Sequence, residues 1–232
     1  MRIAAHQPNY LPNLGFFYKM SQVDTFIVFT NTQFAKEDGW QQRHKIRGPG
    51  GDLWLTVPVL GSQNQGISNV MINNAVPWRR KHSRTLAMVY GKTQERAALA
   101  RLLDIYDHPW ERLVDLNYAI IFLLREFLGI STPVVVDEEV GGEKEQLLLN
   151  LCAKYGADAY LSGVGGRHYM TEQYFATLAH RGIRHDFVGN DLTSRYPYST
   201  VHYLFTEGVE RTIALLRAQS VPRSNAILTS VP

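Results

Sequence analysis

The chain has 232 residues, of which 45% are hydrophobic and 19% are charged, and its formal net charge is only +3. This composition supplies enough apolar side chains for a sizeable core and argues against an intrinsically disordered protein. Because the basic residues stand in short clusters, it also argues against a general nucleic-acid-binding protein.

The single cysteine, Cys152, excludes an intrachain disulfide and a cysteine-based zinc cluster. It lies on the leucine face of a predicted helix, well past the N-terminus of that helix, so we expect it to pack in the core. His6 and Pro8 interrupt the first apolar stretch too early for a signal peptide, and the apolar run at 118–124 is too short to span a bilayer. We therefore expect a cytoplasmic protein without membrane contact.

Four segments in the first third of the chain have the composition of strands: 2–5, 25–30, 53–60 and 67–73. Between the first two, Leu14, Phe17 and Tyr18 are spaced as on one face of a short helix. Pro58 indicates that the third strand ends there or lies at a sheet edge.

The middle of the chain changes to helical spacing with few helix-breaking residues. Gly91 divides the stretch 78–103 into two helices, and Gly129 is placed to cap the end of the helix predicted over 109–128. This pattern predicts a helical middle region at about 78–129.

After residue 130 strands and helices alternate. The predicted order is a strand at 132–139, a helix at 141–157, a strand at 159–163, a helix at 171–182 and a strand at 183–189. Such alternation predicts a parallel sheet with crossover helices. We therefore predict an α/β fold: one domain over 1–218, with a mostly parallel sheet, crossover helices and the helical middle region, followed by a loose C-terminal tail at 219–232.

The first candidate site is the turn "HQPNYLP", which directly follows the first predicted strand. Ligands of parallel sheets bind at the carboxyl ends of strands, and Pro8 and Pro12 restrict this turn, so His6, Gln7 and Asn9 would be held in place. Histidine can exchange a proton near neutral pH, which favours a site. The alternative is a histidine that only caps the strand by hydrogen bonding.

A second polar cluster follows the second predicted strand. We assign Gln33, Arg43 and His44 to the site, because arginine can hold a carboxylate or phosphate with two parallel hydrogen bonds. The charged residues at 36–38 favour a surface loop.

A third cluster, "WRRKHSRTL", carries Lys81 and His82 near a helix start, where basic side chains and helix amides can bind an anion. A solvated basic helix end is an equal alternative.

The fourth candidate is the segment "AYLSGVGGRHYM", in which Ser162 and Gly163 open a glycine-rich loop at a strand end. Glycines let a ligand approach the backbone closely. The segment is neither a phosphate-binding loop of the Gly-Lys-Ser/Thr type nor a Gly-x-Ser-x-Gly elbow. No helix carries His, Asp and Glu at metal-binding spacing, so we predict no metal and no cofactor.

Five segments, in this order, resemble the WbqC-like protein family over about residues 1–210: "HQPNYLPNLGFFYKM", "WLTVPV", "WRRKHSRTL", "GGEKEQLLLNLCAKYGADAYLSG" and "YLFTEGVE". The resemblance implies a bacterial biosynthetic transferase that places a glycyl or related acyl group on an amino sugar. It supports these residues as site positions: His6, Gln7, Pro8, Asn9, Trp78, Lys81, His82, Glu143, Tyr160, Ser162 and Gly163. The chain departs from the family pattern at Asn13, at 42–44 and at Thr206, and these departures concern the substrate more than the fold.

The leading hypothesis is amide formation between an activated acyl donor and a small-molecule amine. His6 would act as general base, Lys81 and His82 are the other catalytic candidates, and Arg43 with Lys81 would hold an anionic part of a substrate. Backbone amides at 162–166 would stabilise the oxyanion. The donor, a thioester or an aminoacyl-tRNA among the alternatives, and the oligomeric state stay open, as do an ATP-dependent amide ligase and a non-catalytic protein that binds a biosynthetic intermediate.

Overall fold

The structure is a computed structural model that describes residues 1–35, 39–61, 65–163, 170–188 and 192–218. Three predictions fall outside these residues: the charged surface loop at 36–38, most of the glycine-rich loop after Ser162, and the loose tail at 219–232. The division into a domain over 1–218 and a tail therefore stays a prediction.

The strands in the described residues are β1 (Arg2–His6), β2 (Thr25–Phe29), β3 (Arg43–Gly48), β4 (Gly51–Thr56), β5 (Val59–Leu60), β6 (Met71–Ile72), β7 (Val134–Asp137), β8 (Ala159–Ser162) and β9 (Arg184–Phe187). The α-helices there are α1 (Leu14–Ser21), α2 (Trp78–Tyr90), α3 (Arg96–Asp107), α4 (Leu113–Phe127), α5 (Lys144–Tyr155), α6 (Glu172–His180), α7 (Leu192–Arg195), α8 (Thr200–Thr206) and α9 (Val209–Arg217). No helix among the described residues is long and apolar enough to cross a membrane.

The main sheet has five parallel strands in the order β7-β2-β1-β8-β9. This confirms the predicted α/β fold with a parallel sheet and crossover helices. The chain builds outward from β1 to β2 and β7, and it then returns to add β8 and β9 on the other side of β1. The strand order thus reverses between β1 and β8, which is where open parallel sheets bind ligands, outside the carboxyl ends of the strands.

Successive residues of β1 point to opposite faces of the sheet, as the two-residue period of a strand requires. Ala4 packs in one core with Phe17 of α1 and with the helical middle region. Ile3 and Ala5 pack in a second core with Leu151 of α5 and with α6. The sheet is therefore covered on both faces, which explains why β1 and β2 are nearly continuous apolar runs.

Strand β3, which forms a hairpin with β4, is the main element that the sequence prediction missed. The two strands pair antiparallel around a tight turn at Pro49 and Gly50. In β3, His44 and Ile46 are buried, and the basic residues Arg43, Lys45 and Arg47 alternate with them on the outer face. A half-buried strand of this kind has the composition of a charged loop.

Two strand predictions had the wrong bounds. The strand predicted over 53–60 is two strands, β4 and β5, and the break between them at Pro58 agrees with the strand end that this proline indicated, because proline cannot donate to a strand ladder. The strand predicted over 67–73 is a 3₁₀ turn, Ile67–Asn69, followed by the short β6.

The glycine predictions in the helical regions agree with the structure. Gly91 follows the last residue of α2, and Gly129, with φ of 60°, follows α4 in a left-handed conformation. Gly156, with the same φ, ends α5 as predicted. At such positions glycine avoids the steric cost that a Cβ atom would bring.

Candidate active site

A cavity of about 180 Å³ lies at the carboxyl ends of β1, β8 and β9, next to the place where the strand order reverses. We call it the strand-end cavity. Its walls are formed by His6, Asn9, Asn13, Gly15, Phe16, Tyr18, Lys19, Trp40, Gly163, Val188, Leu192 and Thr193. The position matches the ligand sites of open parallel sheets, and it unites the first and the fourth candidate clusters of the sequence.

His6 is the last residue of β1, and its largely buried ring packs edge-on against Phe16 with ring centres 5.0 Å apart. Its Nδ1 lies 2.9 Å from the carbonyl oxygen of Gln7. Because a carbonyl oxygen only accepts, Nδ1 carries the proton and Nε2 keeps its lone pair. Burial, and then the positive charge of Lys19, lowers the pKa of His6 to about 3, so the ring is neutral at physiological pH.

Lys19, on α1, was missed in the sequence and lines the same cavity as His6. Its side chain is only 8% exposed, and its Nζ donates a hydrogen bond of 2.9 Å to the carbonyl oxygen of Ala5. Among the described residues it forms no ion pair, and burial lowers its pKa to about 7. The sequence could have indicated its burial, because Lys19 stands in "FFYKM", three residues after Phe16 on the apolar side of the helix.

The opening turn is held by side chains from other parts of the chain. Gln7 donates through Nε2 to Thr32 Oγ1 at 2.9 Å and accepts at Oε1 from Gln41 Nε2. Asn117 of α4 donates to the carbonyl oxygens of Pro8, at 2.9 Å, and Gln41, at 2.8 Å. Gln7 therefore stiffens the turn and does not line the strand-end cavity, whereas the predicted neighbour Asn9 does.

Asn13, where the chain departs from the family pattern, has two roles at the edge of the cavity. Its side-chain oxygen accepts from the backbone N–H of Phe16 at 3.1 Å and so caps α1. It also forms part of the cavity wall. Asn13 is therefore both a helix cap and a wall residue of the strand-end cavity.

Arg43 and His44 lie beside the cavity wall and not in it. The buried ring of His44 packs at a tilt against Trp40, which does line the cavity, with ring centres 4.6 Å apart. Burial is the main cause that lowers the pKa of His44 to about 4. The guanidinium of Arg43 lies 4.8 Å from the centre of the Trp54 ring. Gln33 is bridged to the backbone at Gly66, outside the cavity wall.

His82 is buried on α2 in a network of aromatic side chains. Its Nδ1 lies 2.8 Å from the hydroxyl of Tyr10, which lies 2.6 Å from the hydroxyl of Tyr106. Burial, and then Lys81, lowers the pKa of His82 to about 4, against a hydrogen bond to the backbone of Thr56. This network joins the opening turn to the helical middle region, while the Lys81 side chain is exposed on the helix surface.

The remaining predicted residues lie on the α5 and α6 side of the sheet or at its edge. Glu143 is exposed at the N-terminal boundary of α5. Ser162, the last residue of β8, points to the face opposite His6, because Tyr160 two residues earlier belongs to the second core. The oxygen of Ser162 lies 2.8 Å from Nε2 of His185, a neighbour that was missed because strand register is not visible in the sequence.

The structure thus brings together His6, Asn9 and Gly163 in one cavity and adds Lys19 to them. The site roles of Gln7, Gln33, Arg43, His44, Lys81, His82, Glu143 and Ser162 stay predictions, since these side chains lie outside the cavity wall. Within the described ranges no group of three or more His, Cys, Asp or Glu side chains is arranged to hold a metal ion.

The sequence profile of the WbqC-like protein family matches residues 7–210. A protein from Mycobacterium tuberculosis, strain ATCC 25618 / H37Rv, named uncharacterized protein Rv1507c, is 33% identical over 194 residues. That alignment covers 81% of this chain and 83% of the mycobacterial protein. No solved structure matches the chain.

Proposed function

The chain belongs to the WbqC-like protein family, and we propose that it is an acyl or aminoacyl transferase that forms an amide on an amino sugar or a related amine. Family membership, predicted from five motifs, is confirmed by the match over 7–210 and by the mycobacterial relative. Membership suggests a biosynthetic role. The reaction and its substrates are our proposal.

The observation that carries the proposal is that His6 and Lys19 both line the strand-end cavity. Amide formation needs a group that removes a proton from the attacking amine. It also needs positive charge near the carbonyl oxygen of the donor. The cavity offers both, at the edge of the sheet where ligands of this fold class bind.

His6 would take the proton through Nε2. As the new C–N bond forms, the amine nitrogen becomes positively charged and its proton becomes acidic. A neutral imidazole can accept this proton even though burial has lowered the pKa of His6 to about 3. The hydrogen bond from Nδ1 to the Gln7 carbonyl would hold the ring in the required tautomer.

Lys19 would stabilise the negative charge that develops on the carbonyl oxygen. Its ammonium group is buried and shares only one of its three donors, with the Ala5 carbonyl, among the described residues. A cation in a water-poor site acts on nearby charge far more strongly than it would in water. Protonated Lys19 would therefore favour the transition state over the uncharged donor.

The size of the cavity favours a small acyl group. A volume of about 180 Å³ accommodates a glycyl-sized group and would leave the rest of donor and acceptor outside. Arg43 and Lys81 stay our candidates for an anionic part of a substrate. We propose an activated donor, a thioester or an aminoacyl-tRNA.

The test is turnover of amino sugars with glycyl thioesters and glycyl-tRNA, with the amide product measured by mass spectrometry. We expect His6→Ala to lower kcat by about 10²- to 10⁴-fold, the range for loss of a general base. His180→Ala, at an exposed histidine at the end of α6, is the matched control and should keep wild-type turnover. Turnover in folded His6→Ala within a few-fold of wild type would contradict the assignment of His6.

An ATP-dependent amide ligase is the second candidate, because nucleotides are also bound where the strand order of a parallel sheet reverses. The same assay separates the two: a ligase forms product from the free acid only with ATP, and it releases AMP and pyrophosphate or ADP and phosphate. Product formed from the thioester without ATP supports the transferase.

A further inference from the structure

A chain of three hydrogen-bonded side chains lies on the sheet face opposite His6. Ser162 Oγ lies 2.8 Å from Nε2 of His185, and Nδ1 of His185 lies 2.7 Å from the hydroxyl of Tyr174. We propose that Ser162 is a nucleophile that takes the acyl group covalently from the donor before the amine receives it, with His185 as its base and Tyr174 as the positioning residue. This inference rests on the proposed transferase function and adds an acyl-enzyme to it.

The two strands that carry the pair hold it in register. In the parallel pairing of β8 and β9, Tyr160 lies opposite His185 and Ser162 lies opposite Phe187. The His185 ring is stacked on Phe187 with ring centres 4.7 Å apart, and it packs against Tyr160 at 5.4 Å. The ring is thus held where Nε2 reaches the serine oxygen, which is the arrangement of an activated nucleophile: serine, base and a third group that orients the base.

His185 is in the form that a base requires. Burial lowers its pKa to about 4, with an opposing effect of Asp186, so the imidazole is neutral at physiological pH. The carboxylate of Asp186 is itself paired with Arg2 and Arg184. With Nδ1–H donated to the Tyr174 oxygen, Nε2 is left to accept the proton of Ser162.

The position of Ser162 connects this chain to the strand-end cavity. Ser162 ends β8 at the carboxyl edge of the sheet, and the next residue, Gly163, belongs to the cavity wall. A Cβ atom built on Gly163 would meet no described atom within 4 Å. Ser162 is therefore one residue along the chain from the strand-end cavity.

The thiol of Cys152 is a poor alternative as the nucleophile. Cys152 lies inside α5 among leucines, and burial raises the pKa of its thiol to about 11. It has no histidine beside it among the described contacts, whereas Ser162 has one at 2.8 Å.

The transfer takes two balanced steps, written for a thioester donor. The Ser162 oxygen bonds to the acyl carbon while its proton passes to His185 Nε2; the C–S bond breaks, and the leaving thiolate takes that proton. The amine nitrogen then bonds to the same carbon and the C–O bond to Ser162 breaks. The proton that the nitrogen releases passes to His6 Nε2 and is then returned to the Ser162 oxygen, which restores the hydroxyl.

The test treats the full chain with p-nitrophenyl acetate and, separately, with a fluorophosphonate probe. Intact mass and peptide mapping then locate the adduct. We expect one adduct per chain on Ser162, no adduct at that peptide in Ser162→Ala, and acylation slowed by about 10²-fold in His185→Asn. Ser131→Ala, at an exposed serine, is the control that should label as wild type does.

Two results would overturn the proposal: folded wild-type protein that takes no label at Ser162, or amide formation at the wild-type rate in Ser162→Ala. Mapping of the wild-type adduct decides the question even if Ser162→Ala does not fold. Failure of the two proposals is distinguishable. Labelling at Ser162 without any amide product contradicts the transferase alone, and amide product made by Ser162→Ala contradicts the acyl-enzyme alone.

Discussion

Asp137 at the end of β7 and Lys19 beside the end of β1 are both buried ionisable groups at the same edge of the sheet, but their surroundings differ. The Asp137 carboxylate accepts from the backbone N–H groups of Glu139 and Val140, both at 2.9 Å, and from Tyr155 at 2.7 Å. It also pairs with Lys154 at 2.9 Å. Burial raises the pKa of Asp137, but these partners lower it more, to about 2.

Lys19 has one carbonyl oxygen as its hydrogen-bond partner among the described residues, and burial alone lowers its pKa to about 7. A buried charge whose partners are inside the protein stabilises the fold. A buried charge that faces a cavity without an oppositely charged partner costs stability, and such costs are concentrated at functional sites. The comparison therefore separates a charge that stabilises the fold from a charge that we propose is kept for a ligand.

The largest expected effect is the change in unfolding free energy with pH that Lys19 causes. Because its pKa is about 7 in the folded protein and 10.5 for a freely solvated lysine, the unfolded chain binds the proton more tightly. The resulting penalty is fully present below pH 7 and disappears as the pH rises to 10.5. Relative to Lys19→Met, wild type should gain on the order of 4 kcal/mol of unfolding free energy between pH 7 and pH 10, measured by urea titration.

Lys154→Met is the matched control for this prediction. Lys154 is paired with Asp137 and its pKa is raised, so its contribution is present below the unfolded value and is lost only above pH 10.5. The difference between wild type and Lys154→Met should stay constant between pH 7 and pH 10. If the unfolding free energies of wild type and Lys19→Met changed equally with pH, the burial penalty assigned to Lys19 would be contradicted.

A smaller effect is expected at Asp137. Its pKa is about 2 in the folded protein and 3.8 for a freely solvated aspartate, so its stabilisation is present above pH 4 and is lost as the pH falls to 2. Asp137→Asn should reduce the unfolding free energy by roughly 2 kcal/mol at neutral pH, and the gap to wild type should close by pH 2. Asp158→Asn, at an exposed carboxylate, should show a much smaller gap. If the difference in unfolding free energy between wild type and Asp137→Asn persisted at pH 2, Asp137 would stabilise the fold by packing and not by its charge.

The smallest effect is expected in the His82 network, which resembles Asp137 in that its hydrogen bonds are made within the protein. Tyr106→Phe removes the hydroxyl at 2.6 Å from Tyr10 and should cost about 1 kcal/mol of stability without changing kcat. Tyr196→Phe, whose hydroxyl makes no hydrogen bond among the described residues, should change neither. If Tyr106→Phe lowered kcat as strongly as His6→Ala, His82 would belong to the active site, as the sequence predicts.

The sequence by itself determined most of the secondary structure and one side of the site. Apolar strands, amphipathic helices and glycine caps are local signals, and they predicted the parallel sheet as well as the turn that carries His6. Strand β3 was not predicted, because a half-buried strand with basic outer residues has the composition of a loop. Burial on one face becomes visible only when the partner strand is in place.

Only the tertiary structure decided which polar residues share a site. Lys19 is one cation among 24 basic residues in the sequence, and it becomes unusual because helix packing buries it beside His6. His185 meets Ser162 because β8 and β9 are in parallel register, and His82 meets Tyr10 across 72 residues of sequence. Hydrogen bonding, burial and pKa depend on such three-dimensional neighbours, which no local pattern in the chain encodes.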